Sequence, residues 1–283
     1  MTQQTSFKRV WMITGASRGM GAEITAAALA QGDAVVATAR KSSAITDALG
    51  SQPGLLAVDL DVTSESAALQ AVKLAMEHFG RVDVLVNNAG YGLAGAVEES
   101  SAEEVRSIFD TNVMGLLNVT RAVLPRMRSQ RSGHVINMSS LGGYQVGAGF
   151  GVYGSTKFAV EGLSEALHAE LTPLGIHVTV VEPGYFRTDF LDSSSAMEAR
   201  NVIADYAETA GKVRVSARAY SHRQPGDPKR LAQALLTLVS AENPPLRLQL
   251  GTDALTRIRE KHAFVEQELQ TWEALSRSTD FPV

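Results

Sequence analysis

From residue 9 to residue 181, short β-branched runs alternate with longer stretches of helical period, and this alternation limits the fold more than any other feature of the chain. The runs Arg9–Thr14, Ala34–Thr38, Leu55–Val58, Val82–Asn87, His134–Met138 and His177–Val181 read as buried strands. Between them, Met20–Gln31, Ser64–Phe79, Ala102–Met127 and Val152–Thr172 carry apolar residues at helical spacing. Alternating strands and helices predict an α/β fold: a doubly wound parallel sheet with right-handed crossovers. Gly80 and Gly133 fall where helices end before strands, and Gly175 lies in the turn before His177.

After Pro183 and Gly184 the pattern loosens. Residues 186–224 are rich in Ser, Ala and charge and read as a mobile excursion, within a loop region at 184–225. Asp227–Val239 then predicts a helix and Leu246–Leu250 a last strand. In the extension at 252–283, Leu255, Ile258, His262, Val265, Leu269 and Trp272 recur at steps of three and four. That spacing predicts an amphipathic helix, capped by Thr252 or Asp253, packed on its own body or else on a second subunit. With no internal repeat and no break in composition, residues 1–283 are expected to form a single domain.

The charge balance of 26 basic and 30 acidic residues, net -4, argues against nucleic-acid binding. The absence of cysteine excludes disulfides, a thiolate nucleophile and Cys-ligated metal. Residues 1–10 lack an apolar run behind their charges and no long apolar stretch follows, so the chain reads as cytoplasmic with no membrane span. The histidines at 78, 134, 168, 177, 222 and 262 are scattered, and no metal site is expected.

The first strand runs into Thr14-Gly15-Ala16-Ser17-Arg18-Gly19-Met20-Gly21 and then a helical stretch. Strand, glycine turn and helix suit phosphate binding: glycines admit the pyrophosphate, while amides of the first helical turn and the helix dipole favour its charge. Gly15-Ala16-Ser17-Arg18-Gly19 also matches the hydrolase elbow G-x-S-x-G, although no oxyanion segment precedes it and no histidine stands out as a base. A dinucleotide site usually carries an acidic residue after the second strand to grip the ribose, but here Ala39-Arg40-Lys41 follows it. Arg40 with Arg18 suits a ribose 2′-phosphate, so NADP(H) is the expected cofactor, with NAD(H) as the alternative.

Tyr153-Gly154-Ser155-Thr156-Lys157 places a phenol and an ammonium one helical turn apart. An adjacent cation stabilises a phenolate and brings its pKa toward neutrality, which would equip Tyr153 for proton transfer. Four motifs, TGASRGMG, NNAG at Asn87–Gly90, INMSS ending at Ser140, and YGSTK, occur in the order seen in the short-chain dehydrogenase/reductase family, which the chain resembles. Asn112 in DTNVMG matches the family's helix asparagine.

The resemblance implies a Rossmann fold and a catalytic set of Asn112, Ser140, Tyr153 and Lys157. In that set Tyr153 exchanges the proton, Lys157 lowers its pKa and holds the nicotinamide ribose, Ser140 bonds the reacting oxygen, and Asn112 anchors a water-linked proton path. It also implies cofactor contacts at Asp61, Val62, Asn87, Ala89, Gly90, Pro183, Gly184 and Thr188, beside Gly15, Ser17, Arg18, Gly19, Met20, Gly21 and Arg40 of the first two turns. Of the neighbouring carboxylates Asp59 and Asp61, the second is favoured for adenine because Val62 follows it.

The substrate is expected beyond the carboxyl ends of the strands, near Tyr144, Phe150, Tyr185, Phe186 and Phe190, as a bulky apolar alcohol or ketone. The PGYFRTDF segment and the long tail resemble the hydroxysteroid- and retinol-dehydrogenase-like branch. The family likeness further implies a homodimer or homotetramer. A dinucleotide-binding regulatory protein without turnover is the alternative from another functional class.

Overall fold

The computed structural model describes residues 7–192 and 195–281; most of the N-terminal segment read for a leader, at 1–6, lies outside them. The strands are β1 Val10–Thr14, β2 Ala34–Ala39, β3 Leu55–Asp59, β4 Val84–Asn87, β5 Gly92–Ala94, β6 Gly133–Met138, β7 Ile176–Pro183, β8 Ala196–Glu198 and β9 Arg247–Leu250. The α-helices are α1 Gly19–Ala30, α2 Ser43–Leu49, α3 Glu65–Phe79, α4 Ala102–Phe109, α5 Leu116–Gln130, α6 Gly151–Leu171, α7 Lys212–Tyr220, α8 Pro228–Leu238 and α9 Thr252–Arg277.

Seven strands form one parallel sheet in the order β3-β2-β1-β4-β6-β7-β9, a doubly wound Rossmann-like α/β fold. Successive β1 residues feed opposite cores. Val10 and Met12 pack with Val72, Val119 and Val123 of α3 and α5, whereas Trp11 and Ile13 pack with Ile24, Leu231 and Leu235 of α1 and α8. Burial on both faces explains why the strands read as continuous apolar runs. The strand order reverses between β1 and β4, which opens a crevice at their carboxyl ends.

The region expected to be one helix, Ala102–Met127, is broken by a π-helical turn at Asp110–Gly115 that carries Asn112. Helix α5 ends on Arg131 at φ 54°, and Gly133 opens β6 instead of closing the helix. The excursion after β7 is more structured than its weak periodicity suggested. It contains α7, and its strand β8 pairs in parallel with β5.

The last helix departs furthest from expectation. Its first turns pack on the body through Ala254 and Ile258, but Leu269, Trp272 and Leu275 are 62%, 59% and 60% exposed. The helix outruns the surface that could cover its stripe, so the body accounts for only its beginning. The expected side-chain cap is absent too: Gly251 precedes the helix without one, and Asp253 instead accepts the Tyr185 amide at 2.7 Å.

Candidate active site

The glycine turn sits where β1 meets α1. A Cβ on Gly21 would lie 2.3 Å from the Gly15 carbonyl oxygen, so only glycine lets the helix pack this closely on the strand. Asn88 fixes the turn from β4: its amide Nδ2 donates to the carbonyls of Thr14 (2.9 Å) and Gly15 (3.1 Å). The backbone amides of Asn88 and Ala89 both donate to Thr14 Oγ1, at 2.9 and 3.0 Å. Arg18 precedes α1 and gives it no side-chain cap. The donors of the first turn are thereby left for an anion, and a dinucleotide pyrophosphate fits them. Gly19 faces Thr188 across this opening, with 3.6 Å between the position of a Cβ and the threonine Cβ.

Arg18 donates to Ser195 Oγ at 2.7 Å on the excursion, and Arg40 is exposed just after β2. Asp59 accepts the Ser42 amide at 2.6 Å and Asp61 accepts from the Thr63 amide and hydroxyl at 3.0 and 2.8 Å, so both carboxylates hold local turns. Val62 is buried, with its carbonyl accepting from Asn118 at 3.0 Å. Asn87 is buried and donates to Thr120 and Asn137, both at 2.9 Å, within the strand layer. Gly90 lies beside Asn112 and Lys157, its would-be Cβ 3.0 Å from Asn112 Oδ1 and 3.8 Å from Lys157 Nζ.

Helix α6 brings Tyr153 and Lys157 together with Ser140. Ser140 lies close enough to the Tyr153 hydroxyl to favour its phenolate form, and Ser140 Oγ accepts the Gly142 amide at 3.0 Å. Lys157 Nζ donates to the Met138 carbonyl at 2.9 Å and lies 5.8 Å from the centroid of the Tyr153 ring. Asn112, held in the π turn, bonds the Tyr91 backbone in both directions at 2.9 and 3.0 Å and donates to Thr156 at 3.1 Å. Irregular helical turns of this kind recur at functional sites because they redirect one side chain without ending the helix.

The electrostatics differ from the simple picture of a cation lowering a phenol. Burial pushes the Tyr153 phenol up to about 12, against the opposing Ser140 hydrogen bond. Burial also pulls the Lys157 ammonium down to about 8, opposed by the Glu161 carboxylate one turn further along α6. Desolvation is the leading cause for both groups. Glu161 is itself pushed up to about 7, first by burial, with Glu182 reinforcing and Arg247 opposing the shift. Arg247 Nε lies 3.3 Å from both Glu161 and Glu182, behind the catalytic face of α6.

A pocket of about 280 Å³ opens beside Tyr153 and Ser140. Phe150, Tyr185, Phe186 and Phe190 line it as expected, and so do Met20, Pro183, Gly184 and Thr188 of the dinucleotide set. Tyr144 does not: its hydroxyl bonds His262 of α9, and it lines a separate groove between α6 and α9. Its position beyond the carboxyl end of β6 predicts a place in the pocket, but after the short helical turn at Leu141–Gly143 the side chain meets α9 instead.

The excursion is fastened near this pocket by buried Arg214, which donates to the buried Glu99 carboxylate at 2.5 and 3.2 Å. This pair holds Glu99 at about 2, well below its ordinary 4.5. Asn88, Glu99 and Arg214 were missed in the sequence; Asn88 had a signal in the doubled asparagine of NNAG, whereas the ion pair spans 115 residues and had none. His222 lies 3.0 Å from Asp192 and 3.9 Å from Asp189, an exposed grouping that the scattered histidine positions did not reveal. Among the described residues no helix is long and apolar enough to cross a membrane.

Comparison with known proteins agrees with this architecture. The family model described as short chain dehydrogenase matches residues 9–199. An oxidoreductase, BOA17, of Botryotinia fuckeliana is 40% identical over 270 residues, covering 95% of this chain and 98% of that protein. A 3-ketodihydrosphingosine reductase of Bacteroides thetaiotaomicron is 40% identical over 245 residues, 86% of this chain and 88% of its own. The crystal structure of a short-chain dehydrogenase from Streptomyces avermitilis superposes with a TM-score of 0.90 at 42% identity, covering 98% of this chain and 100% of that one. Motifs, sheet order and these likenesses together establish that the chain belongs to the short-chain dehydrogenase/reductase family of oxidoreductases.

Proposed function

We propose that this chain is an NADP(H)-preferring oxidoreductase that transfers hydride between a nicotinamide dinucleotide and an apolar secondary alcohol or ketone. The reading rests on Tyr153 and Ser140 standing together at the wall of a largely apolar pocket with the Lys157 ammonium behind the phenol. When bound, the dinucleotide supplies or accepts the hydride.

The protein's own groups handle the proton and the developing charge. A phenol held near 12 is protonated across the physiological range, so Tyr153 is poised to give its proton to a carbonyl oxygen as that oxygen becomes an alkoxide. Ser140 donates a hydrogen bond to the same oxygen. Lys157 keeps positive charge beside the phenol and reaches the ribose of the nicotinamide, and Asn112 fixes the backbone on which the proton path is built. The reductive direction is in keeping with the Bacteroides relative, whose name makes it a reductase of a ketone.

Arg40, exposed where an acidic ribose ligand would otherwise stand, supports preference for the 2′-phosphate. Family resemblance supports extending the reading to one functional unit per chain, assembled as a homodimer or homotetramer in the cytoplasm.

Fluorescence titration with NADPH and NADH, followed by a panel of aliphatic, aromatic and steroidal ketones, tests the proposal. NADPH is expected to bind more tightly and to be oxidised only when ketone is present. Tyr153→Phe should keep dinucleotide affinity while losing turnover by about 10²- to 10⁴-fold. Tight binding with no turnover on any ketone would favour a regulatory dinucleotide-binding protein, and failure to bind either dinucleotide would overturn the reading.

A further inference from the structure

We propose that Arg257 forms an anion subsite in the substrate pocket, so that the substrate is an apolar ketone or secondary alcohol carrying a carboxylate or another oxyanion. This inference rests on the oxidoreductase reading above and adds to it the charge of the substrate.

The pocket walls are apolar, built from Leu141, Phe150, Phe186, Phe190, Leu191 and Val213. Among the described residues lining it, Arg257 alone bears a charge, and no carboxylate lines it to offset that charge. The single hydrogen bond of the guanidinium among the described residues runs from Nε to Gln145 Oε1 at 3.3 Å, which leaves both Nη groups without a protein acceptor. Asp253, one turn earlier on α9, would be the natural partner, but its carboxylate is committed to the Tyr185 amide at 2.7 Å.

Other arginines nearby show what a purely structural role looks like in this protein. Arg214 is bonded by Glu99, and Arg247 lies within 3.3 Å of Glu161 and Glu182 and 2.6 Å from Glu165. Arg257 has no such neutralisation, yet it is half-buried and its helix is pinned beside it by Ala254 and Ile258. A guanidinium held against apolar walls with both Nη groups unused is a receptor for a planar oxyanion, because a bidentate charge-assisted pair restores what burial removed. The anion takes no part in bond making: hydride adds to the carbonyl carbon and the Tyr153 proton to its oxygen, while Arg257 fixes the far end of the molecule.

A matched ketone series, ending in a carboxylate, a sulfate ester, a methyl ester or an ammonium at several methylene spacings, tests this. Two readouts are needed: kcat/KM, and calorimetric binding to the dinucleotide complex. At the best spacing, wild type is expected to favour an oxyanion over the ester by about 10- to 100-fold, the range for a hydrogen bond to a charged group, with the difference in KM. The carboxylate and sulfate arms identify which oxyanion the subsite takes.

In Arg257→Gln the oxyanion-to-ester ratio should fall to about 1, Arg257→Lys should restore part of it, and Arg257→Glu should turn preference to the ammonium. Equal binding and turnover of oxyanions and ester by wild type would overturn the subsite even if no variant folds, as would a ratio that survives Arg257→Gln. Arg257-dependent binding of the oxyanion without dinucleotide-linked reduction of any ketone would uphold the subsite and overturn the oxidoreductase reading instead.

Discussion

Where β1 and β4 end, the glycine turn is held almost wholly by main-chain partners: Asn88 grips two carbonyls, and Thr14 Oγ1 receives two backbone amides. Across the cleft, the excursion is held by a three-residue strand pairing of β8 with β5 and by charge. Buried Glu99 and Arg214 join segments 115 residues apart, and the exposed Arg218–Glu198 pair adds a weaker tie. The first side is close-packed, with no room for an added atom at Gly21. The second depends on ionisation and on the pairing of distant side chains, which suits the side that must admit substrates of differing shape.

The sharpest way to break this contrast is Gly21→Ala. Its methyl would press on the Gly15 carbonyl, an overpacking worth about 1–3 kcal/mol, and dinucleotide affinity should fall by about 10- to 100-fold. Unchanged affinity in a fluorescence titration would show that the turn is not rigid.

Next in size is the pH dependence of kcat/KM for ketone reduction. The free enzyme's Lys157 ammonium, held near 8 by burial, is lost as pH rises through that value. The rate should therefore decline above pH 8, by about tenfold for each further unit. A profile flat to pH 10 would remove Lys157's charge from the mechanism.

Glu99→Gln probes the opposite side and leaves Arg214 buried without its counter-charge. The expected result is a melting temperature lower by a few degrees and a KM for ketone raised about threefold, with dinucleotide affinity preserved. Because the folded carboxyl lies near 2 and its ordinary value is 4.5, the pair stabilises fully above about 4.5 and is lost as pH falls toward 2. Wild type and Glu99→Gln should therefore converge in stability under acid. The smallest effect is reserved for α9: Trp272→Ser, on an exposed position, should alter the stability of the isolated chain by less than about 0.5 kcal/mol in a denaturant titration. A larger loss would mean that the stripe is covered in solution.

The legibility of the molecule in its sequence follows the same division. The strand positions and the order of the motifs could be read because they depend on local period and on neighbours a few residues apart, as with Tyr153 and Lys157. The π turn at Asn112 could not, since a one-residue widening of a helix leaves the apolar pattern of Ala102–Met127 nearly intact. Helix α7 was hidden because its apolar content is low and an ion pair anchors it. The place of Arg18 in the glycine turn could be read, but its bond to Ser195, 177 residues further along the chain, could not. Arg257 carried no signal at all; its meaning arises only when α9 lays it against a pocket built from segments as distant in the chain as Met20 and Ser139.

Asp253 clasps the Tyr185 amide and packs so tightly on Gly184 that the start of α9 and the adjoining pocket wall are one rigid corner. From that corner the helix extends to Arg277, about 36 Å at 1.5 Å per residue, while Arg257 stands only about 6 Å along it. The anchors at Ile258 and His262 lie beyond Arg257, so the guanidinium belongs to the part of the arm that is held and not to the part that projects.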